Sequence, residues 1–122
     1  MNTVTMTVSL SYSPYSHFRV GAAALTDDGR VIRGANIENA AYGSSVCAET
    51  NAVTTAAAQG VRAIEAMAVA CLDGDLCTPC GNCLQVMREF SVRRVVMSDG
   101  AGGTRSVLLT DLLPESFGPE AL

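Results

Sequence analysis

The chain has no lysine, a single histidine, no apolar run near the ~20 residues that a bilayer-spanning helix needs, and no linker-like stretch rich in Pro, Gly or Ser. Without an apolar run there is no candidate membrane span. The eight basic residues are all arginine, which points to a GC-rich genome and not to a mechanism. They form no basic stripe, and the net charge is −4, so a phosphate backbone finds no complementary surface and long nucleic acids are disfavoured as partners. No internal repeat or low-complexity tract marks a boundary, and 122 residues is an ordinary single-domain length, so residues 1–122 are expected to form one domain. The start, Met1 to Leu10, lacks the basic flank of a signal peptide, and a cytoplasmic protein is expected. In that compartment the five cysteines stay reduced. Their odd number, with Cys77, Cys80 and Cys83 evenly spaced, points to metal binding or catalysis before disulfides.

What is present fits a compact globular protein: 48% of residues are apolar and only 16% charged, with some of the apolar surface expected between subunits. Phe18 to Leu25 and Arg30 to Ile37 read as two strands of a hairpin across Asp27-Asp28-Gly29. Cys47 to Gln59 reads as a helix, with Ser44-Ser45 as possible N-caps and Gly60 as its stop. Ala66 to Cys71 is a continuous apolar run, as a central strand covered on both faces requires. Thr78-Pro79 is a good N-cap and N1 pair for a second helix running through Cys80 and Cys83 to about Phe90. Val95 to Met97 and Thr104 to Leu109 are further extended segments before a turn at Asp111 to Leu113. The order β-β-α-β-α-β-β predicts a mixed sheet with helices against it. Val4, Met6, Val8 and Leu10 alternate with polar residues, which favours an extended start.

The strongest local signal is Thr78-Pro79-Cys80-Gly81-Asn82-Cys83. Thiols at i and i+3 in a first helical turn share a face, and the positive end of the helix dipole favours the thiolates that zinc needs. Alone, such a pair equally suits a redox dithiol or half of a structural zinc site. Cys47-Ala48-Glu49 places a third thiol at another helix start. Three thiolates with no evident fourth ligand describe a catalytic zinc, because structural zinc normally closes its tetrahedron with protein ligands. Zinc lowers the pKa of bound water from about 15.7 to near 7, and Glu49 stands two residues from a ligand, able to manage the proton. The combination suggests hydrolysis. A ligand set that includes Cys77, or Cys77 as a fourth ligand, stays open, although Cys77 falls before the N-cap and off the helical face.

Plainer roles compete for each residue. Glu49 could be a carboxylate favoured by the helix dipole, Phe18 and Phe117 core side chains, and Asn36 with Glu38 a turn and a solvated acid. Cys71 ends an apolar strand and reads as a small buried hydrophobe. His17, among Tyr and Ser, reads as a surface residue.

Several separated segments resemble the small cytidine deaminases of the homotetrameric, three-cysteine kind. They are Tyr15-Ser16-His17-Phe18-Arg19-Val20-Gly21-Ala22-Ala23, Gly34-Ala35-Asn36-Ile37-Glu38-Asn39-Ala40-Ala41-Tyr42, Cys47-Ala48-Glu49, Pro79-Cys80-Gly81-Asn82-Cys83 and Leu112-Leu113-Pro114-Glu115-Ser116-Phe117-Gly118-Pro119-Glu120. The resemblance implies an α/β fold, a three-layer α/β/α sandwich on a mixed sheet of about five strands. It implies Zn²⁺ on Cys47, Cys80 and Cys83, Glu49 as catalytic acid and base, and hydrolytic deamination of cytidine or deoxycytidine to the uridine counterpart with release of ammonia. Phe18 would pack on the pyrimidine, Asn36 and Glu38 would bind ribose hydroxyls, and Ala48 would offer backbone contacts to the base. The Thr78 carbonyl would accept from the departing amine, and Tyr42 and Phe117 would complete a neighbouring subunit's pocket in a homotetramer. Other substrates of the same chemistry would be aminated nucleosides of the blasticidin-like or other antibiotic type, and the rival of another class is a non-catalytic, zinc-stabilised nucleoside-binding protein.

Three departures stand out. Thr50 and Leu84 occupy positions where that family usually has Arg. Three thiolates and Zn²⁺ sum to −1, so the missing cations leave only two helix N-termini, each worth about half a positive charge, to offset it. Weaker water activation or a changed substrate preference is expected. The third departure is the start of the chain, where the family usually has a helix.

Overall fold

The structure, a computed structural model, describes residues 2–74, 76–99 and 102–122. Its centre is a five-stranded sheet in the order β2-β1-β3-β4-β5. The strands are β1 (Val20–Thr26), β2 (Val31–Ala35), β3 (Ile64–Cys71), β4 (Arg94–Ser98) and β5 (Thr104–Leu108). β1 runs antiparallel to both β2 and β3, β3 and β4 are parallel, and β5 returns antiparallel to β4. The parallel pair is joined through α3 (Gly81–Glu89), as a parallel crossover requires. The apolar run expected at the centre is β3, third of five.

Strand alternation sorts the core into two layers. Ala22, Ala24, Met67 and Val69 face one side, where they pack with α3 and with α2 (Ala48–Ala58). Ala23 and Ala70 face the other side, where they meet Val4 and Val8 of the chain start. Helices therefore cover both faces, giving the α/β/α sandwich. Two glycines allow the close approach. A Cβ on Gly34 would lie 2.4 Å from the Ala52 amide nitrogen of α2, and one on Gly21 would lie 2.6 Å from that of Val8.

The start of the chain departs from expectation. Residues Asn2–Thr7 form a helix, α1, continued by a 3₁₀ turn at Val8–Leu10, where alternation had favoured an extended segment; Met1 lies outside the described residues. The buried set is Val4, Thr7 and Val8, with helical spacing, while Leu10 is 56% exposed. Thr7 counts as polar in a periodicity count, yet its hydroxyl donates to the Thr3 carbonyl at 2.6 Å and the residue buries completely. The period-2 signal came from Leu10, which the fold leaves outside.

The helix starts also move. Ser44 belongs to a 3₁₀ turn, Tyr42–Ser44, and the N-cap of α2 is Cys47; the N-cap of α3 is Cys80, two residues beyond the expected Thr78. The Cys47 and Cys80 carbonyls accept the first helical bonds, from Asn51 at 2.9 Å and Leu84 at 3.0 Å. The stop at Gly60 holds: its φ is +92°, and Val61 N–H donates to the Ala56 carbonyl at 3.1 Å in a Schellman pattern. In the hairpin, Gly29 takes φ +87°. Its strands are shorter at the open end than expected, because Asn36 caps the ladder with its side chain and Ile37 leaves to bridge Tyr12 and Val46. The terminal turn is a short helix, α4 (Leu109–Leu112). No helix among the described residues is long and apolar enough to cross a membrane.

Candidate active site

Cys47 and Cys80 stand at equivalent places, the N-caps of two helices on the same face of the sheet, and Cys83 follows one turn into α3. Their three sulfur atoms all lie within 4.8 Å of one another, with Cys47 Sγ and Cys80 Sγ 3.9 Å apart. Sulfurs at ~2.3 Å from a tetrahedral zinc are separated by about 3.8 Å, so the cluster fits that ion in both size and softness. The neighbouring Cys83 thiol holds Cys47 below the ordinary thiol value. The same interaction, followed by burial, holds Cys83 well above it. Cys77 is outside the cluster, buried in the apolar core and raised by that burial.

Glu49 lies in the first turn of α2 and is 5% exposed. Burial raises its carboxyl above the ordinary value, with its own backbone N–H opposing. A buried acid of raised pKa, beside a cavity, is suited to carry a proton in both directions near neutral pH.

A cavity of ≈ 340 Å³ opens on this end of the sheet. It is lined by Phe18, Asn36, Glu38, Ala48, Glu49 and Thr78, together with Cys47 and Cys80. That volume suits a nucleoside-sized ligand. Ser16 and Val20 line it as well and were not singled out from the sequence; Cys77, weighed there as a further ligand, also lines it but stays outside the sulfur cluster. Tyr42 lines an adjoining cavity of ≈ 340 Å³ with Tyr15, Ser16, Glu38 and Ser45. Its ring meets Tyr15 edge-on with centroids 6.0 Å apart and is 75% exposed. Phe117 does not reach the cavity; it is 61% exposed on the C-terminal segment. Gln85 Nε2 donates to the Phe117 carbonyl at 2.9 Å, and Arg88 binds Ser116 and Glu120 on either side.

Two of the polar residues already carry much of their capacity. Asn36 Oδ1 accepts from Val20 N–H at 3.0 Å and from the Ser11 hydroxyl, while its Nδ2 donates to the Phe18 carbonyl at 2.7 Å, leaving one amide hydrogen. Glu38 Oε1 accepts from Tyr15 and Ser16 N–H at 3.0 and 3.1 Å, and Oε2 from the Ser16 hydroxyl. These bonds, the Ser16 hydroxyl first, hold Glu38 below the usual carboxylate range and leave Oε2 able to accept again. Phe18 lies against Gly74, where a Cβ would come within 3.1 Å of the ring.

Leu84 points into the core, 7% exposed, and Thr50 Oγ1 lies 3.3 Å from Cys83 Sγ. Signals for Ser11 and Ser16 were present only as hydroxyls near stronger motifs, whereas Thr50 stood out as a departure from the family's usual Arg.

Three thiols converging at two helix starts, a buried acid beside them and a polar cradle opposite define a metal-assisted hydrolytic centre on an α/β/α sandwich. The profile of the cytidine and deoxycytidylate deaminase zinc-binding region matches residues 1–99, and the chain belongs to that family. It is 44% identical over 112 residues to a cytidine deaminase of Halalkalibacterium halodurans, an alignment covering 90% of this chain and 85% of the relative. It is 41% identical over 120 residues to a cytidine deaminase of Mycobacterium tuberculosis, covering 97% and 86%. The crystal structure of a cytidine deaminase from Burkholderia pseudomallei superposes with a TM-score of 0.89 at 40% identity, over 95% of this chain and 94% of that one.

Proposed function

We propose that this chain is a single-domain cytoplasmic enzyme that hydrolyses cytidine or deoxycytidine to the uridine counterpart and ammonia, with zinc on Cys47, Cys80 and Cys83. The observation that carries it is a cluster of three sulfurs at zinc-compatible spacing, two of which line one cavity with the buried Glu49 and the Asn36, Glu38 and Phe18 cradle. Zinc, when bound, supplies an activated water at neutral pH.

The chain's own groups do the rest. Phe18 packs on the pyrimidine, while the remaining amide hydrogen of Asn36 and the open lone pairs of Glu38 take the ribose hydroxyls. The Ala48 backbone, at the first position of α2, holds the base edge against the sulfurs. Glu49 takes one proton from water and gives it to N3 of the base, where it stays, then takes the second from the C4 hydroxyl and gives it to the departing amine, whose N–H bonds the Thr78 carbonyl receives. The C4–N4 bond breaks, water supplies the new C4 oxygen, and ammonia leaves. Burial keeps Glu49 basic enough to accept each proton. Tyr42 and Phe117, both exposed on one chain, complete the pocket of a neighbouring copy in a homotetramer.

Zinc per chain, ammonia release across aminated pyrimidine nucleosides, and a Glu49→Ala control test the reading. One zinc per chain and turnover of cytidine or deoxycytidine are expected, with Glu49→Ala lowering kcat by about 10²–10⁴-fold at unchanged zinc content. Zinc without turnover of any nucleoside would end the enzymatic reading; turnover that survives Glu49→Ala would end only the role of that carboxylate.

A further inference from the structure

Cys83 is 0% exposed, so as a thiolate it has lost the water that would otherwise solvate its charge. Among the described residues, the non-thiol side chain bonded to it is Thr50, with Oγ1 at 3.3 Å from Cys83 Sγ. Thr50 lies on α2, next to Glu49, and Cys83 on α3, so the contact ties the two helices together beside the sulfur cluster. A thiolate has no hydrogen to give, and once Cys83 is ionised the hydroxyl is the donor. No arginine among the described residues supplies charge here. None lines the cavity, and the ion-paired ones are spent on Asp28, Glu65, Asp73 and Glu120.

We propose that Thr50 is a positioning residue of the metal centre: its hydroxyl donates to the buried Cys83 thiolate, offsets part of the thiolate charge in place of a cation, and slows loss of the metal. The inference rests on the reading of Cys47, Cys80 and Cys83 as zinc ligands. A partner that hydrogen-bonds a ligating atom orients it and tunes how much charge it gives to the metal. The group is neutral, so it moderates the site's negative charge without cancelling it.

Thr50→Val keeps the β-branched shape and removes the donor, whereas Thr50→Ser keeps the donor and trims a methyl. Thr50→Ala removes the donor again in the residue of highest helix propensity, which guards against a folding defect particular to Val. Zinc affinity is measured by competition with a chromogenic chelator. Both donorless variants are expected to bind zinc about 10- to 100-fold more weakly than the parent, with Thr50→Ser close to the parent. With Co²⁺ in place of zinc, the thiolate-to-metal charge-transfer band of the donorless variants should move to lower energy, because an uncompensated thiolate gives up an electron more readily. A loss of packing alone would leave that band in place. Donorless variants with parental affinity and an unmoved band, or a Thr50→Ser variant as weak as Thr50→Val, overturn the proposal. A parent that holds no zinc overturns the ligand reading as well, which separates the two failures.

Discussion

Cys47, Cys80, Cys83 and Glu49 sit at the N-caps and first turns of α2 and α3, whereas Phe18 sits on the segment that leads into β1, and Asn36 and Glu38 on the one that leaves β2. The geometry of the first group is inherited from helix packing on the sheet. Ala48, Ala52, Val53, Cys83 and Met87 are all fully buried, so the helix starts that carry the sulfurs can move only if the core moves. The second group is placed by side-chain bonds, with Asn36 held by Ser11, Phe18 and Val20, and Glu38 by Tyr15 and Ser16. In the proposed function, the reaction chemistry is thus built on the rigid elements and substrate recognition on a polar network at the surface. One should fail with the fold and the other without it.

Gly34→Ala tests the first half and carries the largest expected effect on stability. The new Cβ would meet the backbone of α2, 2.4 Å from Ala52 N and 2.5 Å from the Ala48 carbonyl oxygen. Backbone cannot rotate away, so α2 must lift from β2, taking Cys47 and Glu49 with it. A loss of about 3 kcal/mol is expected, read as a melting temperature lower by roughly 10 °C, together with weakened zinc retention. Unchanged melting with unchanged zinc would mean that the metal half does not depend on this packing.

Glu38→Gln tests the second half. The amide retains one acceptor oxygen for Tyr15 and Ser16 N–H but presents N–H where the Ser16 hydroxyl and a ribose hydroxyl would donate. Loss of a hydrogen bond to a charged group is worth ~1.5–3 kcal/mol, so kcat/KM should fall by about 10- to 100-fold. Zinc content and melting temperature should stay near those of the parent. A fall in kcat/KM accompanied by loss of zinc would show that cradle and metal centre are one unit.

The same division explains what the sequence made legible. The convergence of the three thiols was readable because it depends on residue type and helical spacing, and the sulfur cluster contains the expected Cys47, Cys80 and Cys83 without Cys77. The central place of β3 was readable because Ala66 to Cys71 is a continuous apolar run. The helix starts were misplaced because Ser44-Ser45 and Thr78-Pro79 are better caps by propensity than cysteine, and the sheet overrode that propensity by setting Cys47 and Cys80 at the N-caps. The chain start was misread because Thr7 is buried through a bond to its own helix. The partners of the Ser11, Ser16 and Thr50 hydroxyls were invisible for a general reason: a serine or threonine has many possible partners, and only the fold selects one.

The smallest expected effect lies between the two halves. Arg19 donates to Asp73 through its backbone N–H at 2.8 Å, Nε at 3.1 Å and Nη2 at 2.9 Å, joining the start of β1 to the loop after β3 beside Phe18 and Gly74. The Arg19 side chain holds the Asp73 carboxyl at about 2, below the ~3.9 of an unfolded chain. A folded value below the unfolded one stabilises the protein above about pH 4 and is lost as pH falls from there towards 2. Asp73→Asn should therefore melt slightly below the parent at pH 6. Comparing the two proteins at each pH cancels the other carboxylates, and their difference should shrink between pH 4 and 2. Because the pair is solvent-exposed, the gap at pH 6 should also narrow in high salt. If Asp73→Asn raises KM modestly while zinc affinity holds, the ion pair belongs to the cradle. If zinc affinity falls with it, the loop that leads from β3 to Cys80 couples the two halves, and the division drawn from their packing would have to be redrawn at Asp73.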